Sequence, residues 1–228
     1  MTRGRLIATI VVVAAVVAAG LLWQRRSASL PQPGTEAYEQ TTRAFYAGLA
    51  ALQVGLLEDA TKYFTEATTR AAREPAAWAN LGVARLRLAD LDAAEPPVRE
   101  ALRLAADAPD VQLLAARMEI ARGRLDEGLE HLRRAVMLAP ANVRARFALA
   151  EELERSGSAD NAAESLTLLD AMAGEAPPNS AILLERARLA AARGDAARLK
   201  DSIGKLSAVA PGWSPNEAYR RRNLSDCH

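Results

Sequence analysis

Apolar residues follow two patterns along this chain. From Leu6 to Trp23 the run LIATIVVVAAVVAAGLLW is unbroken and uncharged over 18 residues. As an α-helix rising 1.5 Å per residue it would span about 27 Å, close to the roughly 30 Å of a bilayer core. Arg3 and Arg5 precede the run, and Trp23, Arg25 and Arg26 follow it, as an interfacial anchor and snorkelling cations would. The pattern predicts an uncleaved signal anchor in residues 1–26. A cleaved signal is the alternative, with Val17-Ala18-Ala19 as its weak small-residue site. The short N-terminal flank predicts N-inside topology, with the bulk of the chain outside the cytoplasm. Residues 27–37 begin SASLPQPG and read as an extended linker.

From residue 38 onward apolar positions recur every three or four residues, the mark of amphipathic helices. A longer period is superimposed. Small residues stand at Gly48, Gly82, Ala116, Ala150 and Ala187, and seven residues after each comes a turn residue: Gly55, Ala89, Gly123, Gly157 and Gly194. Pro75, Pro109, Pro140, Pro177 and Pro211 fall in the same rhythm and are expected to close the units. Three sets of marks agree on a period of about 34. In the second unit Trp78, Leu81, Leu86 and Leu88 predict one helix face, and Ala94, Val98, Ala101 and Leu102 the next. Asp92 with Glu95 fits a capping box. Pro96-Pro97 predicts that this second helix is kinked or starts late. In the third unit Leu113, Leu114, Ala116 and Ile120 precede the turn Gly123-Arg124-Leu125-Asp126, and Leu129, Leu132, Ala135 and Leu138 follow it.

Trp78-x-x-Leu81-Gly82 with Ala94, Val98 and Ala101, and Gly123 with Leu132, Ala135 and Pro140, resemble the tetratricopeptide repeat (TPR). The Trp position holds Ala44, Gln112, Arg146 and Leu183 elsewhere, and the spacing slips within 158–177. The resemblance implies an all-α, right-handed superhelix of about five helix-turn-helix repeats over residues 38–211, preceded by the transmembrane helix. Residues 212–228 would be a cap or tail. By the family's geometry a concave groove would be lined by Phe45, Leu49, Ala79, Val83, Leu113, Arg117, Phe147, Glu151, Leu184 and Arg188. Such a groove takes an extended or helical peptide. The alternative is that several of these side chains merely pack between repeats. Family members that bind chaperone tails use Lys and Asn, and this chain has no Lys between 63 and 199.

Composition narrows the chemistry. With 29 basic and 28 acidic residues the chain has no global pull toward nucleic acid. Residues 1–26 hold four of the basic residues and none of the acidic ones, which leaves the remainder net acidic by three. One cysteine excludes an internal disulfide framework and a cysteine-based zinc cluster. Arg outnumbers Lys 26 to 3, as in GC-rich bacterial coding. His131, beside Glu130 and Arg133, reads as a solvated side chain. Cys227-His228 lacks the paired cysteine of a haem attachment site. Glu151-Glu152 with Glu154 and Arg155 reads as a charged helix face, and Arg220-Arg221-Arg222 as exposed. Trp213 is expected to cover the apolar end of the stack. No nucleophile–base pair, phosphate loop, metal spacing or cofactor motif is present, so neither an enzyme nor a small-molecule substrate is predicted.

The leading expectation is a membrane-tethered scaffold binding a protein or peptide partner. It would sit in a bacterial inner membrane with its repeats on the periplasmic side. Two alternatives stand beside it. One is an assembly factor for an envelope enzyme, such as those of cytochrome c maturation. The other is the leading repeat module of a larger protein of the FG-GAP or ASPIC type, which the stretch 124–157 resembles.

Overall fold

The computed structural model describes residues 30–175 and 178–209. The run Leu6–Trp23 and the tail with Trp213 and Cys227 lie outside these residues. Ten α-helices and no strand occur among the described residues: α1 Glu36–Val54, α2 Leu57–Arg70, α3 Pro75–Arg87, α4 Leu91–Leu104, α5 Pro109–Ala121, α6 Leu125–Leu138, α7 Val143–Arg155, α8 Ala159–Ala173, α9 Ser180–Ala192 and α10 Ala196–Val209. They form five successive helix-turn-helix pairs. The chain divides into two compact units, with the boundary between His131 and Leu132 inside α6. None of the described helices is long and apolar enough to cross a membrane.

The turn within each pair is made the same way. Gly55, Gly123, Gly157 and Gly194 have φ of +83°, +78°, +69° and +70°, the left-handed region open to glycine. Ala89 takes the same conformation at +58°, where its Cβ crowds the following carbonyl. Three of the four turns between pairs carry a side-chain cap, and Ala108 before α5 makes none. Glu74, Asn142 and Asn179 accept from the first free backbone N–H groups of α3, α7 and α9.

Three local expectations are corrected. Pro75 and Pro109 open α3 and α5 rather than close the preceding units, because a first-turn proline gives up only an N–H the helix leaves unpaired. The cap of α4 is Asp90, which accepts from Ala93 N at 3.1 Å, and not Asp92. The left-handed Ala89 ends the turn one step earlier and frees Asp90 for that role, while Glu95 pairs with Arg99 and Arg122 instead of folding back. Nor does α4 start late at Pro96-Pro97. It runs unbroken from Leu91 to Leu104 with the Pro97 ring buried in its apolar face. Arg122 Nη2 donates to the Leu91 carbonyl near that end, at 3.0 Å.

The small residues do what close helix packing requires. A Cβ built on Gly48 would stand 2.7 Å from the Phe64 ring, and one on Gly82 would stand 2.7 Å from Val98 Cγ2. The first unit buries Phe64 among Ala51, Ala60, Leu81 and Ala84, and Val98 among Leu114, Ala115 and Met118. The second buries Leu169, Met172, Ile182, Leu183 and Leu189 around Ala150 and Ala173. In the first unit, α1 touches α3 and α3 touches α5, so the leading helices of successive pairs lie side by side.

Candidate peptide-binding groove

Side by side, α1, α3 and α5 leave a groove of about 700 Å³ in the first unit. Its floor is Leu49, Leu52, Val83, Leu86 and Leu114, and its polar lining is Gln53, Arg87 and Arg117. The 34-residue period places equivalent positions together: Leu49, Val83 and Arg117 form one row, and Gln53, Arg87 and Ala121 another. The first row is apolar at α1 and α3 and cationic at α5, and the second runs from an amide at α1 through cationic Arg87 at α3 to Ala121 at α5. Arg87 Nη1 is tied to the Leu52 carbonyl at 2.9 Å. Arg117 is exposed and has no hydrogen bond or ion pair among the described residues. No carboxylate lines this groove among the described residues.

Of the residues expected to line a groove, Leu49, Val83 and Arg117 are brought together here. Phe45 is half-buried and packs edge-on to Phe64 at 5.9 Å between ring centroids. It also lines a separate hollow with Leu30, Pro31, Tyr38 and Tyr46. Ala79 is half-buried against Val98 and its neighbours. Leu113 is only 6% exposed and offers almost no surface. The lining residues not anticipated are Leu52, Leu86 and Leu114, together with Gln53, Arg87 and Ala121. All but Leu114 lie about one turn nearer the helix C-terminus than the expected ones. The repeat of Leu52, Leu86 and Ile120 at a spacing of 34 was the available signal.

The second unit holds Phe147, Glu151, Leu184 and Arg188. Phe147 is half-buried against the Leu169 core. Glu151 is exposed, and its carboxyl is pushed above the ordinary value by partial burial first, then by Glu185 and Glu152, with Arg155 opposing. Arg188 is held by Glu185 at 2.6 and 3.0 Å and lines an apolar trough with Leu184. His131 is not a solvated side chain. It is half-buried, and its Nδ1 lies 2.7 Å from Gln112 Oε1. Since that oxygen can only accept, Nδ1 is the donor. Gln112 Nε2 in turn donates to the Ala106 carbonyl at 2.6 Å. No group of three or more His, Cys, Asp or Glu among the described residues is placed to hold a metal ion.

Residues 109–153 match the family model described as tetratricopeptide repeat. No curated protein matches the chain. Among solved structures, the chain is similar to MamA at 13% identity, covering 77% of this chain and 96% of that one, with TM-score 0.63. It is similar to YrrB, described as a TPR protein with an unusual peptide-binding site, at 17% identity, covering 80% and 90%, with TM-score 0.57. It is also similar to the first TPR of Spaghetti (RPAP3), bound to the HSP90 peptide SRMEEVD, at 19% identity, covering 53% and 95%, with TM-score 0.50. At these identities the likeness establishes the fold alone: an all-helical repeat of the tetratricopeptide type.

Proposed function

We propose that this protein is a membrane-tethered scaffold whose first unit binds a peptide segment of a partner protein. The groove of α1, α3 and α5 is the observation that carries the reading. Its apolar floor would take one or two apolar side chains. Unpaired Arg117, at the cationic side of an acid-free lining, would take a carboxylate of the same peptide. The HSP90 peptide described with RPAP3 and the peptide-binding site described for YrrB support binding as the activity of such a fold. The Leu6–Trp23 run supports the tether, and a bacterial inner membrane with the repeats on the periplasmic side is the location that fits it.

The test is photo-crosslinking from Val83 in native membranes, with exposed Arg99 on α4 as the control position. A discrete adduct from Val83 alone, lost on Arg117→Glu, is the expected result. Equal labelling from both positions, or none from Val83, would remove the groove as a binding site. The tether is checked separately by carbonate extraction: release of the full-length chain into the soluble fraction would rule out an anchor.

A further inference from the structure

The last described pair ends in an uncovered apolar surface. Leu184 and Ala187 of α9, with Leu199, Ile203 and Leu206 of α10, line a trough of about 450 Å³ whose walls are almost wholly apolar. Leu184 is 47% exposed and Ile203 45% exposed, high values for such residues beside a packed core. Arg188, the only charged residue lining the trough among the described residues, is already engaged by Glu185. A charged ligand would find no unpaired charge there among the described residues.

We propose that the trough is the seat of the indole of Trp213, delivered by the chain that leaves α10. Three observations choose this occupant. First, α10 ends at Val209, and Trp213 lies four residues on, past Pro211 and Gly212. Four residues reach about 13 Å when extended, enough to return over the last two turns of α10 where Ile203, Leu206 and Ser207 stand. Pro211 has no N–H to give a helical hydrogen bond, and Gly212 has no Cβ to restrict its φ. Second, the chemistry matches. An indole is a large apolar plate with one N–H. Ser207, on the trough wall, uses its hydroxyl proton on the Ile203 carbonyl at 2.9 Å and leaves its oxygen free to accept. Third, tethering favours the tail over a second copy. A segment joined by a few residues is held at a local concentration of order millimolar. Two copies meeting through a patch of five or six side chains would fall well short of the roughly 1,200 Å² of a stable interface.

The experiment uses the full chain, which contains three tryptophans. The difference spectrum between the parent and Trp213→Phe reads Trp213 alone. The expected result is blue-shifted emission quenched by acrylamide several-fold less than a free indole, unchanged on dilution. Ile203→Asp and Leu184→Asp, each at an exposed site and each checked for retained helicity by circular dichroism, are expected to shift that emission to the red and restore quenching. Water-like emission in the parent would overturn the proposal. Protection that persists in both Asp variants would also overturn it. Protection that fades on dilution would assign the trough to a second copy instead.

Discussion

The two units fill the same position of the repeat with different chemistry. In the first, Trp78 Nε1 donates to the Ala72 carbonyl at 2.8 Å, and Gln112 Nε2 donates to the Ala106 carbonyl at 2.6 Å. Each side chain ties itself to a backbone oxygen six residues earlier. In the second, Arg146 holds that position, 8% exposed, and reaches Glu175 with both terminal nitrogens at 2.5 and 2.8 Å. Arg186, also 8% exposed, goes further. Its Nε donates to Asp170 at 2.6 Å, and its Nη1 to Asp201 at 2.7 Å and Ser202 at 2.9 Å. Arg198 closes the cluster on Asp170 at 3.0 Å. The first unit is thus held mainly by shape, through Phe64 against Gly48 and Val98 against Gly82, with Arg122 bridging to Asp92 and Glu95. The second adds charge pairs that connect α8, α9 and α10. A buried guanidinium left without its carboxylate is costly, as is a void beside a buried ring.

The contrast can be broken from either side. Phe64→Ala is expected to cost about 3–5 kcal/mol, because it removes a fully buried ring and leaves a void against Gly48. Urea unfolding of the first unit reads this. Arg186→Ala is expected to cost about 2–3 kcal/mol in the second unit, since Asp170 keeps Arg198 and Asp201 keeps Lys205 as partial replacements. If the Arg186 loss equalled or exceeded the Phe64 loss, charge rather than shape would dominate this fold.

A weaker separation is expected in acid. In the second unit three carboxyls sit below their ordinary values. Glu175 is held there by the Arg146 hydrogen bond, Asp195 by the Arg198 backbone N–H and then its guanidinium, and Asp201 by Arg186 and then Lys205. The first unit has one such group, Glu100, lowered by Arg103. Depressed carboxyls contribute stability that is present above their unfolded values, about pH 4, and is lost as pH falls through their folded ones. Glu151, raised, works the other way and offsets part of the loss. Amide protection, taken relative to the intrinsic exchange rate at each pH, is therefore expected to fall below about pH 4 in α8–α10 before α1–α4. The smallest effect is a gain: Ala89→Gly relieves a left-handed alanine and is expected to stabilise the first unit by up to about 1 kcal/mol in the same urea titration.

Much of the repeat was legible in the chain itself. The five turn residues picked out by spacing are the five with positive φ inside the pairs, because only a few residue types suit that backbone. Gly48 and Gly82 were legible for a similar reason, as places where a Cβ has no room. What was hidden depends on partners distant in sequence. Nothing near Asp92 tells that Asp90 is the cap; that follows from the conformation Ala89 adopts. His131 looks solvated beside Glu130 and Arg133 until Gln112, nineteen residues away, is placed against it. The groove lies one turn further along α1 and α3 than the family's geometry implies, since the tilt between neighbouring helices decides which row faces the hollow. Arg146 is marked only by standing at the Trp position of the repeat, and Arg186 by nothing that sets it apart from the other arginines.

The Arg186 cluster also bears on how the protein meets heat. Hydration of charged groups weakens as temperature rises, so the penalty for withdrawing a guanidinium and its carboxylates from water shrinks, while the gain from apolar burial levels off. The ionic unit, the first to loosen in acid, is therefore expected to be the slower to loosen on warming. One chain would carry two opposite rankings of its halves, and which end lets go first would depend on the stress applied.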